Sequence, residues 1–507
     1  MSIVGIDLGT TYSTVAAVDD RGRPITIPNR DGEILTPSAI YFASDSQVVV
    51  GQPALDVASE HPDRVATLIK RRMGYPNYGT VAGRMFRSET LSAIVLKKLV
   101  NDAAMQLGVI KRAVITVPAY FDDTRRKATI DAGKIAGLDV VDILDEPSAA
   151  ALAYTVQHGN EIPDNAPKTV LVYDLGGGTF DVTLVQLSRK RFRVLGIEGD
   201  VRLGGKDWDD RLIDHASAQF QAQYGSDPKF DPQSMAMLHA AAERAKRTLS
   251  KVDQATMTVV HEGRKLAVAI TRSEFEAMTR DLLIRTRLTA QQVVTQAGRT
   301  WSQVDKVLMV GGSTHMPMTG RMLAELTGKE PDRSLAVSEV VARGAAVHAD
   351  IFEQKMAIVP RDVNAADVVE ISVNAHSLGV EARQEGDLIN SKLILKNTQL
   401  PAGADRVFYT SKENQSRVRV RILQGEANQS EACIPVGECW IQGLAGNLPK
   451  GSPIRVRCGV AANGLIEVTA IDMTNGTTAK AEIKRTSGLD NVHIEQEAAY
   501  VRGLEIL

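Results

Sequence analysis

Two segments of the chain share one pattern, in which an apolar, strand-like run ends in Asp-Leu-Gly and a second such run follows a turn of small residues. They are VGIDLGTTYSTVAAV near the start and LVYDLGGGTFDVTLV farther along, with Asp7 and Asp174 at equivalent positions. Glycine in such a turn has no Cβ, so backbone N–H groups can approach a phosphate closely. The repeat therefore predicts a two-lobed cleft that holds a nucleotide between two matching hairpins.

The residues of the two turns suit a polyphosphate. One Asp-Leu-Gly turn alone is more often an ordinary tight turn, but two in matching strand context favour phosphate binding. An aspartate at the end of each strand also suits Mg²⁺, which takes few carboxylates and keeps several waters. The predicted phosphate contacts are Gly9, Thr10, Thr11, Tyr12, Gly176, Gly177, Gly178 and Thr179.

A third glycine turn, VLMVGGSTHMP, follows the strand-like run 307–310. Gly311, Gly312 and Ser313 would lie where a strand opens into a helix, which is a natural place for a nucleotide. Double-glycine turns are common, so this signal is weak on its own. The chain contains neither a GxGxxG nor a Walker A sequence, which argues against a Rossmann or P-loop site.

Composition excludes several classes of protein. The net charge of −2 gives no general attraction to nucleic acid or to an anionic membrane, so neither is an expected partner. No apolar run approaches the roughly 20 residues of a membrane span. The first residues, MSIVGIDLG, lack the features of a secretory signal, and a cytoplasmic location is expected. Three scattered cysteines, Cys433, Cys439 and Cys458, are predicted to be packing residues.

The texture of the sequence changes along the chain. Residues 1–360 alternate strand-like and helix-like patterns, as in an α/β protein. A linker is predicted at 361–371, and an all-β region with alternating strands and turn signals at 372–488. One short amphipathic helix is predicted at 489–507.

These motifs, taken together, resemble the DnaK-type chaperones, the family of seventy-kilodalton heat-shock proteins. The matching stretches include IDLGTTYS, AVITVPAYFDDTRRKATIDAGKIAGLDVVDILDEPSAAALAY, VYDLGGGTFDVTLV, VLMVGGSTHMP, SLGVEA and ENQSRVRVRILQGE, in family order. The resemblance implies an α/β, actin-like, two-lobed ATPase domain followed by an all-β sandwich that binds peptides and a short C-terminal helix. The family's long helical lid would be absent, so bound peptide should exchange quickly.

The resemblance also implies the chemistry of the cleft, with ATP or ADP, Mg²⁺ and a potential K⁺ as its ligands. Lys70 matches the catalytic lysine, although position alone would make it a solvated residue of a basic run. The implied catalytic residues are Lys70, Thr179, Asp174 and Glu146, and the implied metal-shell carboxylates are Asp7, Asp174, Glu146 and Asp181. Four carboxylates in one cleft would repel one another without a cation.

The implied adenosine contacts lie mainly on one helix. Their spacing puts them on one helix face, for which an exposed ion-pair stripe is the alternative interpretation. His315 stands where the family usually has an arginine that stacks on adenine. The implied contacts are Glu243, Lys246, Arg247, Ser250, Gly204, Gly205, Gly311, Gly312, Ser313 and His315.

Further residues match the family's coupling and peptide-binding positions. In the linker, Glu370 interrupts a run that is apolar in the family, and weaker coupling is expected because a buried charge is costly. The pocket residues could equally be sandwich core. The coupling positions are Pro118, Arg126, Val368, Val369 and Ile371, and the peptide positions are Leu378, Val380, Arg383, Phe408, Ser411, Val418 and Val420.

The function predicted from the sequence is an ATP-dependent chaperone that binds exposed apolar segments under control of slow Mg-ATP hydrolysis. Its implied partners are unfolded polypeptides, a J-domain co-chaperone and a nucleotide exchange factor. One alternative is a non-hydrolysing, nucleotide-gated adaptor or regulator of other chaperones. The other is a sugar kinase on the same fold, which the β region at 372–488 disfavours.

Overall fold

The structure is a computed structural model, and its description covers most of the chain. The described residues are 2–158, 162, 165–188, 191–356, 369–410, 412–414, 418–441, 449–474, 478–479, 484–485 and 488–507. Among them, no helix combines the length and the apolar character needed to cross a membrane.

The first part of the chain forms eleven strands and four helices within the described residues. Short 3-10 helices also occur at Pro62–Arg64 and Ile69–Arg72. The elements are β1 (Ser2–Asp7), β2 (Tyr12–Val18), β3 (Pro24–Ile27), β4 (Thr36–Pro37), β5 (Ile40–Phe42), β6 (Gln47–Val50), α1 (Gln52–Asp56), β7 (Val65–Ala66), β8 (Gly79–Val81), β9 (Arg84–Phe86), α2 (Ser88–Leu107), β10 (Ile110–Val117), α3 (Asp123–Ile135), β11 (Asp139–Asp145) and α4 (Glu146–His158).

The middle part again mixes strands and helices. Its 3-10 helices are Pro228–Phe230, Trp301–Gln303 and Gly312–His315. The elements are β12 (Lys168–Leu175), β13 (Phe180–Ser188), β14 (Arg191–Asp200), α5 (Gly205–Tyr224), α6 (Pro232–Leu249), β15 (Gln254–His261), β16 (Arg264–Thr271), α7 (Arg272–Met278), α8 (Arg280–Gln296), β17 (Lys306–Val310), α9 (Pro317–Thr327) and α10 (Val340–Met356).

The last part is almost entirely strand, with a 3-10 turn at Ser430–Ala432. The elements are β18 (Val369–Ile371), β19 (Leu378–Gln384), β20 (Asp387–Ile394), β21 (Ala402–Tyr409), β22 (Val418–Gln424), β23 (Ile434–Ile441), β24 (Pro453–Val460), β25 (Ile466–Asp472), β26 (Thr478–Ala479), β27 (Lys484–Arg485), α11 (Asn491–Gly503) and β28 (Glu505–Ile506).

Two sheets repeat one arrangement, as the duplicated sequence pattern predicts. The N-terminal sheet has the order β11-β10-β1-β2-β3, and the middle sheet has the order β17-β12-β13-β14-β18. In each sheet an antiparallel hairpin (β1–β2 or β12–β13) lies beside a parallel strand (β10 or β17). Because parallel strands need a crossover connection, helices pack on these sheets and cover their apolar faces.

Helix α10 packs closely on the N-terminal sheet. Gly5 of β1 lies against the backbone of Ala345 and Ala346, and Gly344 lies against the backbone of Ala149 in α4. A side chain at either glycine would collide with backbone atoms, so these contacts require glycine. One hydrophobic cluster joins α4 and α10 to strands of both sheets.

The C-terminal region forms two further sheets, with orders β20-β19-β22-β23-β27 and β21-β24-β25-β26. Their shared core contains Val380 and Ile422 from the first sheet and Ile454 and Val456 from the second. The three cysteines are unpaired and buried, in agreement with their predicted packing role. Burial raises the pKa of Cys439 to about 11 and that of Cys458 to about 12, so both thiols stay protonated at neutral pH.

Candidate nucleotide site

The two Asp-Leu-Gly hairpins meet face to face. Gly177 lies against the side chain of Thr11, and Gly178 lies against that of Thr10. A Cβ at either glycine would overlap the threonine, so this approach is possible only because both positions lack a side chain. The backbone of the second hairpin and the hydroxyls of the first therefore line one cleft, as their sequence predicts.

The third turn and the start of α5 join the same cluster. Ser313 donates a hydrogen bond from its Oγ to the carbonyl oxygen of Gly176 at 2.9 Å. The backbone N–H groups of Gly205 and Lys206 donate to Gly176 and Gly177, each at 2.9 Å. Gly311 packs against Asp174. Four segments that are distant in sequence thus form one continuous glycine-rich lining.

Three buried aspartates lie at the base of this lining. Burial, followed by repulsion from Glu146, raises the pKa of Asp7 to about 7. The same two causes raise the pKa of Asp174 well above its usual value and that of Asp181 to about 8. Repulsion of this kind shows that the four predicted metal-shell carboxylates share one site, and that the site favours positive charge.

Lys70 supplies part of that charge. It lies on the 3-10 helix Ile69–Arg72, which follows Leu68 in a left-handed conformation. Only 6% of Lys70 is exposed, and its Nζ contacts Glu146 Oε1. Its charge lowers the pKa of Asp7, Asp174 and Asp181. Lys70 is therefore a buried, paired residue of the carboxylate cluster, and the interpretation as a solvated basic residue is wrong.

The carboxylates suit a hydrated cation better than a directly ligated one. Among the described residues, no three His, Cys, Asp or Glu side chains form a group that could hold a metal ion by themselves. Mg²⁺ normally keeps several waters and takes only one or two carboxylates besides phosphate oxygens. The buried aspartates therefore fit Mg²⁺ through its water shell, and the predicted four-carboxylate set is not a direct ligand set.

Arg71 is part of the site, although the sequence does not single it out. Its Nε donates to the carbonyl oxygen of Gly178 at 3.0 Å, and its guanidinium forms an ion pair with Asp207 of α5. Asp207 also accepts a hydrogen bond from the backbone of Gly204 at 2.8 Å. Arg71 thus joins the Lys70 segment to the second hairpin and the start of α5. No local signal distinguishes Arg71 from Arg72 in the run LIKRRMG.

The predicted adenosine face of α6 turns towards the first hairpin. Arg247 donates to Tyr12 Oη and to Glu243 Oε1, each at 2.7 Å. Lys246 donates to the carbonyl oxygen of Gly205 at 2.9 Å and to Asp209 at 2.7 Å.

These contacts belong to both interpretations of the helix face. The Arg247–Glu243 pair has the i,i+4 spacing of an ion-pair stripe. The bonds to Tyr12 and Gly205, however, reach other elements around the cleft. Ser250, the last residue of the set, donates only to the Lys246 carbonyl oxygen within the helix, at 3.1 Å.

His315 lies beside the third glycine turn and borders a cavity of about 290 Å³. Thr314, Arg333 and Leu335 also line this cavity. Burial, followed by the positive charge of Arg333, lowers the pKa of His315. The imidazole is therefore neutral at physiological pH and offers a flat, uncharged surface at this position.

A comparison with protein-family models decides the family. The model described as Hsp70 protein matches residues 3–78 and 76–501, which is nearly the whole chain. The chain belongs to the Hsp70 family. Hsp70 proteins are ATPases and chaperones that bind nucleotide with Mg²⁺, unfolded polypeptides and co-chaperones.

The predicted coupling residues of this Hsp70 lie where the cleft meets the C-terminal sheets. Arg126 donates to Asp145 at 2.6 Å, next to Glu146, and to the carbonyl oxygen of Asn463 at 3.3 Å. Pro118 accepts a backbone hydrogen bond from Phe121 at 3.0 Å. Arg126 thus contacts both the segment that carries Glu146 and the turn before β25.

The linker of the Hsp70 chain forms β18, which extends the middle sheet. Val369, Glu370 and Ile371 pair in parallel with Arg191, Phe192 and Arg193 of β14. Glu370 therefore does not prevent strand addition. Val368 lies outside the described residues.

A second contact joins the C-terminal sheets to the middle sheet. Lys396 pairs with Glu198 of β14 at 2.5 Å, and its ammonium lies 4.9 Å from the centre of the Tyr120 ring. His376 Nε2 lies 3.0 Å from the carbonyl oxygen of Tyr120, and Asn397 accepts a hydrogen bond from the Ile197 N–H at 3.1 Å. These interface residues were not predicted, because no local pattern specifies a partner in a distant segment.

The predicted peptide residues fall into three groups. Leu378, Val380 and Val420 are buried in the core of the C-terminal sheets, as the core alternative predicts, while Phe408 packs at its edge. Arg383 is exposed and donates to the Gly386 carbonyl oxygen at 2.9 Å. Val418 begins β22, and Ser411 lies outside the described residues.

Proposed function

We propose that this Hsp70 is an ATP-dependent chaperone. Mg-ATP would bind between two actin-like lobes within residues 1–360, and its slow hydrolysis would control peptide binding by the sandwich at 372–488. A linker at 361–371 would join the two. The convergence of four glycine-rich segments on a buried lysine and carboxylate cluster carries the proposal.

The residues of the cluster can divide the work of phosphoryl transfer to water. Lys70 would hold the attacking water and balance charge on the γ-phosphate, while Glu146 orients the Lys70 ammonium. Thr179 and the amides of Gly176 to Gly178 would contact phosphate oxygens. Bound Mg²⁺ would neutralise phosphate charge, and Asp7, Asp174 and Asp181 would accept hydrogen bonds from its waters.

Single-turnover hydrolysis of ATP tests the proposal. Replacing Lys70 with alanine should lower the rate by at least about 100-fold, because it removes a preorganised charge at the reacting phosphate. ATP binding, measured separately, should persist. Arg72→Ala is the matched control, since Arg72 lies on the same 3-10 helix but is exposed. An equal rate for wild type and Lys70→Ala would refute the role of Lys70.

The same assay with an unfolded apolar peptide tests the control of peptide binding. Stimulation by peptide would support the chaperone. Hydrolysis that ignores peptide would mean that β18 does not couple the two parts. Tight ATP binding without turnover in the wild type would overturn the ATPase proposal and support the nucleotide-gated adaptor, for which the neutral His315 is the favouring observation.

A further inference from the structure

The last residues of the described chain belong to the core around the N-terminal sheet. Val501, Leu504 and Ile506 are buried and lie in the same hydrophobic cluster as Phe86 and Leu91. The amphipathic helix predicted at 489–507 is therefore packed on residues from the start of the chain. We call residues 489–507 the latch.

A strand completes the latch. β28 pairs in parallel with β6, which lies in a small sheet of order β28-β6-β5-β7. The N–H of Glu505 donates to Ser46 at 2.8 Å, and that of Leu507 donates to Val48 at 3.0 Å. In the reverse direction, the N–H of Val50 donates to the Leu507 carbonyl oxygen at 3.0 Å. Backbone pairing of this kind fixes both position and register.

Side chains of α2 and β9 hold the helical part of the latch. Lys97 donates to the Val501 carbonyl oxygen at 2.8 Å, and Thr90 donates to Glu497 at 2.8 Å. The Arg84 guanidinium lies 3.6 Å from the centre of the Tyr500 ring. Apolar burial, strand pairing and a cation–π contact thus act on one segment.

The latch gives the C-terminal sheets a second attachment. At one end of this region, β18 extends the middle sheet. At the other end, Leu489 of the latch already lies in the N-terminal core. Between the two ends, Lys396 and His376 contact residues of the nucleotide-binding part. Separation of the C-terminal sheets therefore requires either release of the latch or an extension of the chain around residues 475–488.

We propose that the latch holds the C-terminal sheets docked on the nucleotide-binding part, and that docking is the resting state with either ADP or ATP. The proposal rests on the proposed function only for the identity of the nucleotide. It assigns β6, β9 and α2 as the docking surface, and this chain's own residues 489–507 as its occupant.

Distances between two spin labels test the latch in the full chain. Met105→Cys on α2 and Arg455→Cys on β24 place labels at exposed positions. The native cysteines are buried, so labelling is selective. We expect one narrow distance distribution that is the same without nucleotide, with ADP and with ATP. A broad or ADP-dependent distribution in the otherwise unchanged chain would overturn the proposal.

Two variants open the latch in different ways. Ile506→Asp places a charge in the apolar contact, and Glu505→Pro removes the N–H that bonds to Ser46. Each should broaden the distance distribution and shift it to longer values. Val492→Asp is the matched control, because Val492 lies on α11 but is 64% exposed.

The outcomes separate the latch from the proposed function. Circular dichroism and thermal unfolding identify a variant that fails to fold, and Glu505→Pro then decides in place of Ile506→Asp. Unchanged distances in both folded variants would refute the latch. A chain that does not hydrolyse ATP but shows these distance changes would refute the proposed ATPase and leave the latch standing.

Discussion

Arg71 joins parts of the cleft that are separated by more than 100 residues of chain. Its planar guanidinium can bond the Gly178 carbonyl oxygen and the Asp207 carboxylate at once. A lysine ammonium has no such fork, so lysine would not replace both contacts. Since Asp207 also bonds the backbone of Gly204, one side chain fixes the second hairpin relative to Lys70.

We expect Arg71→Gln to speed the release of bound ADP by about tenfold or more, because hydrogen bonds to charged groups contribute about 1.5–3 kcal/mol each. Stopped-flow dissociation of a fluorescent ADP measures this rate. Arg72→Gln is the control and should leave the rate unchanged. Equal release rates for wild type and Arg71→Gln would show that the bridge does not restrain the cleft.

Among residues, those fixed by backbone chemistry were predictable and those fixed by a distant partner were not. Gly177 and Gly178 lie opposite the threonines of the first hairpin, as the repeated motif predicts. Lys70 and Arg71 occur in a basic run in which every member could be solvated. Only the fold reveals that Lys70 contacts Glu146 and that Arg71 reaches Asp207.

The connection between β20 and β21 carries the interface contact at the scale of elements. Lys396 and Glu198 form an ion pair that is almost entirely buried, and Gln292 of α8 also donates to Glu198 at 3.0 Å. Removing one partner leaves the other buried without its countercharge, which is more costly than removing both. The pair therefore specifies where this connection docks on β14.

A double-mutant cycle with Lys396→Met and Glu198→Gln tests that contact. We expect each single change to reduce the stimulation of ATP hydrolysis by peptide, and the double change to cost less than the sum. The coupling free energy should be about 1–3 kcal/mol. It is measured from peptide affinity with and without ATP. Additive effects would mean that the pair does not link the two parts.

Elements with strong periodicity were predictable, whereas their partners were not. The alternation in RVRVRI predicts a strand with one buried face, and β22 occupies Val418–Gln424. The two-residue strand β28 is too short to give a periodic signal, and its pairing with β6 depends on residues at the opposite end of the chain.

Protonation of His376 should weaken docking of the C-terminal sheets across the whole molecule. His376 is buried between Asp122, Lys396, Arg126 and the Tyr120 ring. Burial lowers its pKa below the usual value of 6.5, despite the opposing effects of the Tyr120 carbonyl oxygen and Asp122. The undocked form therefore binds more protons below pH 6.5, and the stabilisation of docking that is complete above pH 6.5 is lost as the pH falls.

The spin-label distances measured at pH 7.5 and pH 5.5 check this prediction. The wild type should show a larger undocked fraction at the lower pH. His376→Leu should remove most of the difference, whereas His215→Leu on α5 should retain it. A pH response that survives His376→Leu would assign the effect to another group.

The latch also determines the order in which the protein can be completed during synthesis. The hydrophobic cluster that contains Val4 and Ile6 also contains Val501, Leu504 and Ile506. These last members leave the ribosome after the C-terminal sheets have been made. In topological terms the C-terminal sheets are an insertion into the nucleotide-binding part, which closes its own core only when translation is nearly finished.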